Sequence, residues 1–154
     1  MSSMLDENSL NMKGLSIDEV YIGMKKSVTK TISEHDVYSF AGIIGDFNPV
    51  HVNEEYAKTT RFGGRIVHGI LSASFISTVF GMLLPGADAI YLGQTLKFLK
   101  PVRFGDTITA TGEVTKIVPE KKLFYAKATV TNQKGEVVVE GEGTLMATKP
   151  CQKD

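Results

Sequence analysis

From Gly69 to Leu84 the chain carries no charged residue, and Pro85-Gly86 then interrupts it. So long an apolar stretch exceeds the usual length of a strand and reads as a helix. Ile70, Leu71, Phe75, Ile76, Val79, Phe80, Leu83 and Leu84 are bulky, whereas Gly69, Ser72, Ala73, Ser77 and Gly81 are small. A helix without a polar face has to be covered on most sides, and its small positions allow a backbone or a ligand to come close. The rest of the chain must therefore supply a wrapping.

The downstream sequence can do so. Ile90 to Val102, Thr107 to Val118, Leu123 to Thr131 and Val137 to Thr148 are rich in Thr, Val, Ile, Phe and Tyr and read as strands. Phe104-Gly105-Asp106, Pro119-Glu120-Lys121-Lys122 and Asn132-Gln133-Lys134-Gly135 separate them as turns. Upstream, Lys26 to Ile32 reads as a further strand, at a sheet edge with its lysines outward. Ser33-Glu34-His35-Asp36 has the capping-box pattern and opens a helix in which Val37, Phe40, Ala41 and Ile44 recur at helical spacing. That helix stops at Gly45, and Glu54 to Lys58 forms a short helical turn. The pattern predicts an α+β fold, an antiparallel sheet wrapped around one long central helix. One domain is expected over residues 16–148, after a flexible segment 1–15 and before a polar tail 149–154.

Charge narrows the functional classes. Lys and Arg total 17, as do Asp and Glu, with no basic block, which argues against an extended nucleic-acid-binding face. Cys151 is the single cysteine, so an intrachain disulfide and a cysteine-based metal site are excluded. No apolar run is long enough to span a bilayer, and Met1 to Gly14 lacks a signal-peptide pattern. A cytoplasmic protein is expected.

The residues with chemical potential sit just before the apolar helix, in Gly45-Asp46-Phe47-Asn48-Pro49-Val50-His51 and Ile66-Val67-His68-Gly69. In an extended chain the Cα atoms of Asp46 and His51 would lie roughly 17 Å apart. On a continuous helix they would occupy different faces. Pro49 disfavours helix at Asn48, and Asn bonds to its own backbone in turns, so a chain reversal can bring the two side chains together. A carboxylate and an imidazole converging there could hold and polarise one water molecule. Gly69, at the helix start, presents an N–H without an intrahelical acceptor and is expected to serve as an oxyanion donor. His68 would shape that approach, and Ser72 and Ser74 are candidates for lining a substrate site. His35, in the first turn of its helix, is expected to be solvated. A metal site from Asp46, His51 and His68 lacks a compact ligand spacing, and none is expected. Lys97, Lys100, Arg103, Arg61 and Arg65 are candidates for contacting phosphate groups.

Phe40 through Ala57 resembles the signature of the MaoC-like hydratases, the R-specific enoyl-CoA hydratases. The matching elements are Gly45-Asp46, Asn48-Pro49-Val50-His51 and Ala57. The resemblance continues through Ile66-Val67-His68-Gly69, Ile90-Tyr91-Leu92-Gly93-Gln94, Pro101-Val102 and Gly105-Asp106, and covers roughly residues 20–148. Ile44 stands where the family usually has a small polar residue. The resemblance implies a hot-dog fold, with Asp46 and His51 as the catalytic pair and Asn48 supporting them. It also implies syn hydration of a trans-2-enoyl-CoA thioester to the (R)-3-hydroxyacyl thioester and the reverse. A homodimer with sites near the subunit interface and no metal or redox cofactor would go with it. Three other readings use the same residues: a 3-hydroxyacyl dehydratase acting on acyl carrier protein, a hot-dog thioesterase, and a catalytically silent acyl-thioester binding module. The spacing leaves open which of Asp46 and His51 takes the proton.

Overall fold

The computed structural model describes residues 13–151. Six strands form one antiparallel sheet in the order β1-β4-β5-β6-β2, with the two-residue β3 also pairing on β6. The strands are β1 (Lys25–Thr31), β2 (Ala89–Gln94), β3 (Lys97–Phe98), β4 (Thr107–Val118), β5 (Leu123–Thr131) and β6 (Val137–Ala147). Four helices precede β2: α1 (Glu34–Ile44), α2 (Pro49–Val52), α3 (Glu54–Ala57) and α4 (Gly69–Met82). This is the expected α+β arrangement, with α4 as the long helix that the sheet wraps.

The sheet is shaped to receive that helix. Along β4 and β5 burial alternates, so Ile108, Ala110 and Val114, then Phe124, Ala126, Ala128 and Val130, face inward. They pack with Ile76, Val79 and Phe80 of α4, all within 1 % of full burial. Fully burying a side chain of this kind stabilises by about 1.5–3 kcal/mol. Small residues in the sheet set the depth to which α4 sinks. A Cβ on Gly112 would lie 2.8 Å from Phe80 Cε1, and one on Gly143 would lie 3.0 Å from Phe80 Cε2. The other side of α4 is open in the single chain, where Ile70 and Met82 are about half exposed. The helix is therefore less covered than its uncharged sequence suggests.

Strand β1 lies at an edge, with Lys26 and Lys30 exposed as expected. Its weak apolar alternation has a structural counterpart. The hydroxyls of Ser27, Thr29 and Thr31 pair with those of Thr111, Thr109 and Thr107 on β4 at 2.8, 2.9 and 2.8 Å. Lateral hydrogen bonding replaces burial on that face.

One expectation needs correction. The strand expected over Ile90–Val102 is two strands, because the chain leaves the β6 edge at Thr95-Leu96 after a bulge between Tyr91 and Gly93. There the Thr95 carbonyl occupies the space where Gly141 would carry a Cβ, 1.7 Å away. The flexible segment expected over residues 1–15 falls mostly outside the described residues. Within them, Gly14 is buried and Leu15 N–H donates to the Pro85 carbonyl at 2.7 Å. Of the expected tail, Lys149 bridges to Ser16 and pairs with Asp88 at 3.9 Å; residues 152–154 lie outside the described region.

Candidate active site

Local chain chemistry delivers Asp46 to the mouth of a cavity. The Ser33 hydroxyl accepts from Asp36 N–H at 3.1 Å, and the Asp36 carboxylate accepts from Ser33 N–H at 2.9 Å, closing the capping box that starts α1. The helix ends at Gly45, whose left-handed φ of 79° suits glycine and turns the chain outward. Asp46 then accepts from Asn48 N–H at 3.1 Å, and Asn48 Oδ1 accepts from Val50 N–H at 3.2 Å. The reversal expected from Asn-Pro is thus an Asx turn feeding a one-turn helix, with Asn48 as N-cap and Pro49 at its first position. Asn48 acts on the arrangement through the backbone, placing His51 on the inner side of α2.

His51 is 8 % exposed and His68, the N-cap of α4, 2 % exposed. A carboxylate oxygen of Asp46 and one ring nitrogen from each histidine lie within 4.8 Å of one another. One water making two hydrogen bonds of about 2.8 Å spans that separation. The two imidazoles stack, with centroids 3.8 Å apart and planes 27° from parallel.

Main-chain carbonyls assign the ring protons. His51 Nδ1 lies 2.8 Å from the Ile66 carbonyl, and His68 Nε2 lies 3.0 Å from the Asp46 carbonyl. A carbonyl oxygen can only accept, so His51 carries its proton on Nδ1 and His68 on Nε2. Neutral His51 therefore has its lone pair on Nε2. Burial lowers the proton affinity of His51 below the ordinary histidine value, as does the neighbouring His68, against the opposing pull of the Ile66 carbonyl and Asp46.

Asp46, His51, His68, Gly69 and Ser72 line one cavity of about 520 Å³, together with Arg61 and Lys100. Gly69 is the first residue of α4, so its N–H has no acceptor within the helix. It also faces an aromatic ring: a Cβ there would lie 2.8 Å from Phe98 Cδ1. Ser74 does not join the others. Its hydroxyl donates to the Leu71 carbonyl at 2.6 Å, and the residue lines a neighbouring cavity of about 400 Å³ with Phe40, Ser77 and Tyr91. His35 is exposed and distant in role, as expected.

Of the basic residues considered for phosphate contact, Arg65 is engaged within the protein. Its Nε lies 2.7 Å from Glu54 and its Nη1 2.6 Å from Glu34, with Tyr38 also in contact and Phe104 beneath the guanidinium. Arg103 Nη1 reaches the Gly64 carbonyl at 3.4 Å. Arg61 and Lys100 line the cavity, Lys100 with its ammonium paired to Glu136, whereas Lys97 lines a separate cavity. The Ile66 carbonyl is the functional group that sequence reasoning missed, because a backbone acceptor has no residue-type signature.

Comparison with known proteins shows what the whole chain is similar to. Residues 20–139 match the family described as MaoC like domain. An (R)-specific enoyl-CoA hydratase of Rhodospirillum rubrum is 56% identical over 129 residues, 84% of this chain and 89% of that protein. A 3-hydroxybutyryl-CoA dehydratase of Methylorubrum extorquens is 40% identical over 144 residues, 93% of this chain and 90% of that protein. Among solved structures, the unliganded R-hydratase of Pseudomonas aeruginosa superposes with a TM-score of 0.83 at 39% identity, covering 92% of this chain and 94% of that one.

Proposed function

The chain belongs to the MaoC-like dehydratase family, and on that basis we propose that it adds water across trans-2-enoyl-CoA to give (R)-3-hydroxyacyl-CoA and catalyses the reverse elimination. The observation that carries the reading is the meeting of Asp46 and His51 within 4.8 Å in a cavity that Gly69 also lines. Water held between the carboxylate and the His51 Nε2 lone pair attacks C3 of the enoyl group. The C3–O bond forms as the double-bond electrons move toward the thioester oxygen. The proton released from water passes through the pair to C2 on the same face, which makes the addition syn. The Gly69 N–H, at the positive end of the α4 dipole, stabilises the charge arriving on the thioester oxygen. One donor of this kind is typically worth about 2.7–4 kcal/mol in the transition state. The lowered proton affinity of His51 supports its role as a neutral acceptor. No step calls for a metal or a redox group.

Arg61 and Lys100, at the same cavity, are the basic side chains placed to meet the coenzyme A phosphates. The proposed assembly is a homodimer formed along β2. That strand ends the sheet, and Ile90, Tyr91 and Leu92 are 46, 39 and 52 % exposed along it. An apolar edge strand of this kind offers a second copy both backbone pairing and apolar contact. Among the described residues no helix is long and apolar enough to cross a membrane, and the proposed setting is the cytoplasm.

The test is loss of enoyl absorbance with crotonyl-CoA, followed by chiral analysis of the product. Asp46→Asn and His51→Ala should each lower turnover on the order of 10²–10⁴-fold while circular dichroism stays unchanged. Release of free thiol without hydration would identify a thioesterase instead. Activity confined to acyl-carrier-protein thioesters would reassign the substrate, and near-normal turnover in both variants would remove the pair from the mechanism.

A further inference from the structure

His68 is held on several sides. Its Nε2–H donates to the Asp46 carbonyl at 3.0 Å, one ring face lies on His51 at 3.8 Å, and Phe40 meets it edge-on at 5.2 Å. Its remaining ring nitrogen, Nδ1, is buried and has no protein partner among the described residues. Ser72 Oγ is the other buried side-chain polar atom without one. Ser72 follows His68 by four residues, where side chains one helical turn apart come together, and both line the cavity that contains Asp46 and His51. A buried polar group left unsatisfied costs about 1–3 kcal/mol, so two together call for a common partner. Neutral His68 Nδ1 can only accept, whereas a hydroxyl and a water can both donate.

We propose that His68 is a positioning residue of the reaction, holding Asp46 through its main-chain carbonyl and His51 through its ring face, with Ser72 supplying, through one bridging water, the donor that satisfies the His68 Nδ1 lone pair. The proposal rests on the hydratase reading above. The Asp46 side chain is 47 % exposed and projects from a turn, where its aim is restrained by the Asn48 N–H on its carboxylate and by the His68 contact at its carbonyl. The stack does the same for His51. A ring that rotated out of the stack would carry the Nε2 lone pair away from the water. A proton on His68 Nδ1 would put positive charge one ring-stacking distance from the base, and the Ser72-linked hydrogen bond keeps that nitrogen occupied as an acceptor.

Substitution at position 68 separates these contacts. His68→Phe retains volume and stacking but loses the donor to Asp46, and His68→Gln retains a donor near the Nε2 position. With the fold verified by thermal melting, His68→Phe should lower kcat on the order of 10–10²-fold and leave KM for crotonyl-CoA within about twofold. His68→Gln should recover part of that loss. Should the variants not fold, the wild-type protein decides the matter. It has three histidines, so long-range ¹H–¹⁵N correlation spectra above neutral pH can report each tautomer. The expected result is Nδ1–H for His51 and Nε2–H for His68, with the His68 Nδ1 resonance moving downfield in Ser72→Ala as its hydrogen bond is lost. The opposite tautomer on either wild-type ring, an unmoved His68 Nδ1 resonance in Ser72→Ala, or full turnover in His68→Phe would overturn the proposal. Full turnover in Asp46→Asn would instead overturn the hydratase reading on which it rests.

Discussion

Arg65 Nε lies 2.7 Å from the Glu54 carboxylate, joining the segment before α4 to the short helix that follows His51. The same guanidinium reaches Glu34 at the start of α1. These carboxylates raise its proton affinity further, so it is cationic at every working pH. Ile66, whose carbonyl fixes His51, is the next residue. Arg65→Ala should therefore lower Tm and also reduce kcat about tenfold through misplacement of His51, with little change in KM. Arg65→Lys, able to keep one of the two bridges, should fall between. Thermal melts paired with crotonyl-CoA kinetics check both effects; a raised KM with unchanged kcat would return Arg65 to the role of phosphate contact.

Gly69 is closed in by Phe98. Gly69→Ala should destabilise by about 1–3 kcal/mol through overpacking and should depress kcat, because the added methyl stands beside the N–H assigned to the thioester oxygen. Adding Phe98→Ala removes the clash but not the methyl. The double variant should recover stability while kcat stays low. Recovery of both would show that Gly69 is needed for packing alone.

The pH dependence follows from His51. Its folded-state proton affinity lies below the ordinary value, chiefly because the ring is buried. The neutral form consequently persists below the unfolded-state pKa of about 6.5, and the acidic limb of kcat/KM should fall below that value. For stability the sign is the same. The unfolded chain takes up the proton first, so the His51 contribution is present above about pH 6.5 and is lost as pH falls through that value toward the folded pKa. A pH–rate profile compared between the wild type and Arg61→Ala tests whether the limb belongs to His51 rather than to substrate binding.

The seat of Phe80 is testable without reference to activity. Gly112→Ala places a methyl 2.8 Å from its ring and should destabilise by about 1–3 kcal/mol. Phe80→Leu alone should also destabilise, by opening space. Combined, the two should cost less than their sum, and a double-mutant cycle by denaturant unfolding measures the coupling.

Much of this molecule is legible in its residues, and the limits are physical. Strand β5 was readable end to end, and β4 as far as Val114, because inward side chains alternate between the bounding turns. The capping box at Ser33 and the stop at Gly45 each act within four residues and could be read directly. The break at Thr95-Leu96 could not, because it depends on Gly141, a residue on another strand. The same holds at the site. Asp46 and His51 are close in sequence and carry recognisable chemistry. Asn48 N–H aims the Asp46 carboxylate from within the turn, but the other bonds reach from Ile66, fifteen residues beyond His51, and His68, twenty-two beyond Asp46, and each uses a main-chain carbonyl common to every residue type.

Because the main chain of Ile66 supplies the acceptor for His51, replacing its side chain changes the wall of the cavity it lines without removing the bond that orients the basic nitrogen. Proline is the exception, since Ile66 N–H also donates to the Val50 carbonyl at 3.0 Å. A scan that looked for indispensable side chains would pass over this position, although an amide-to-ester replacement that weakened its carbonyl would disturb the imidazole directly.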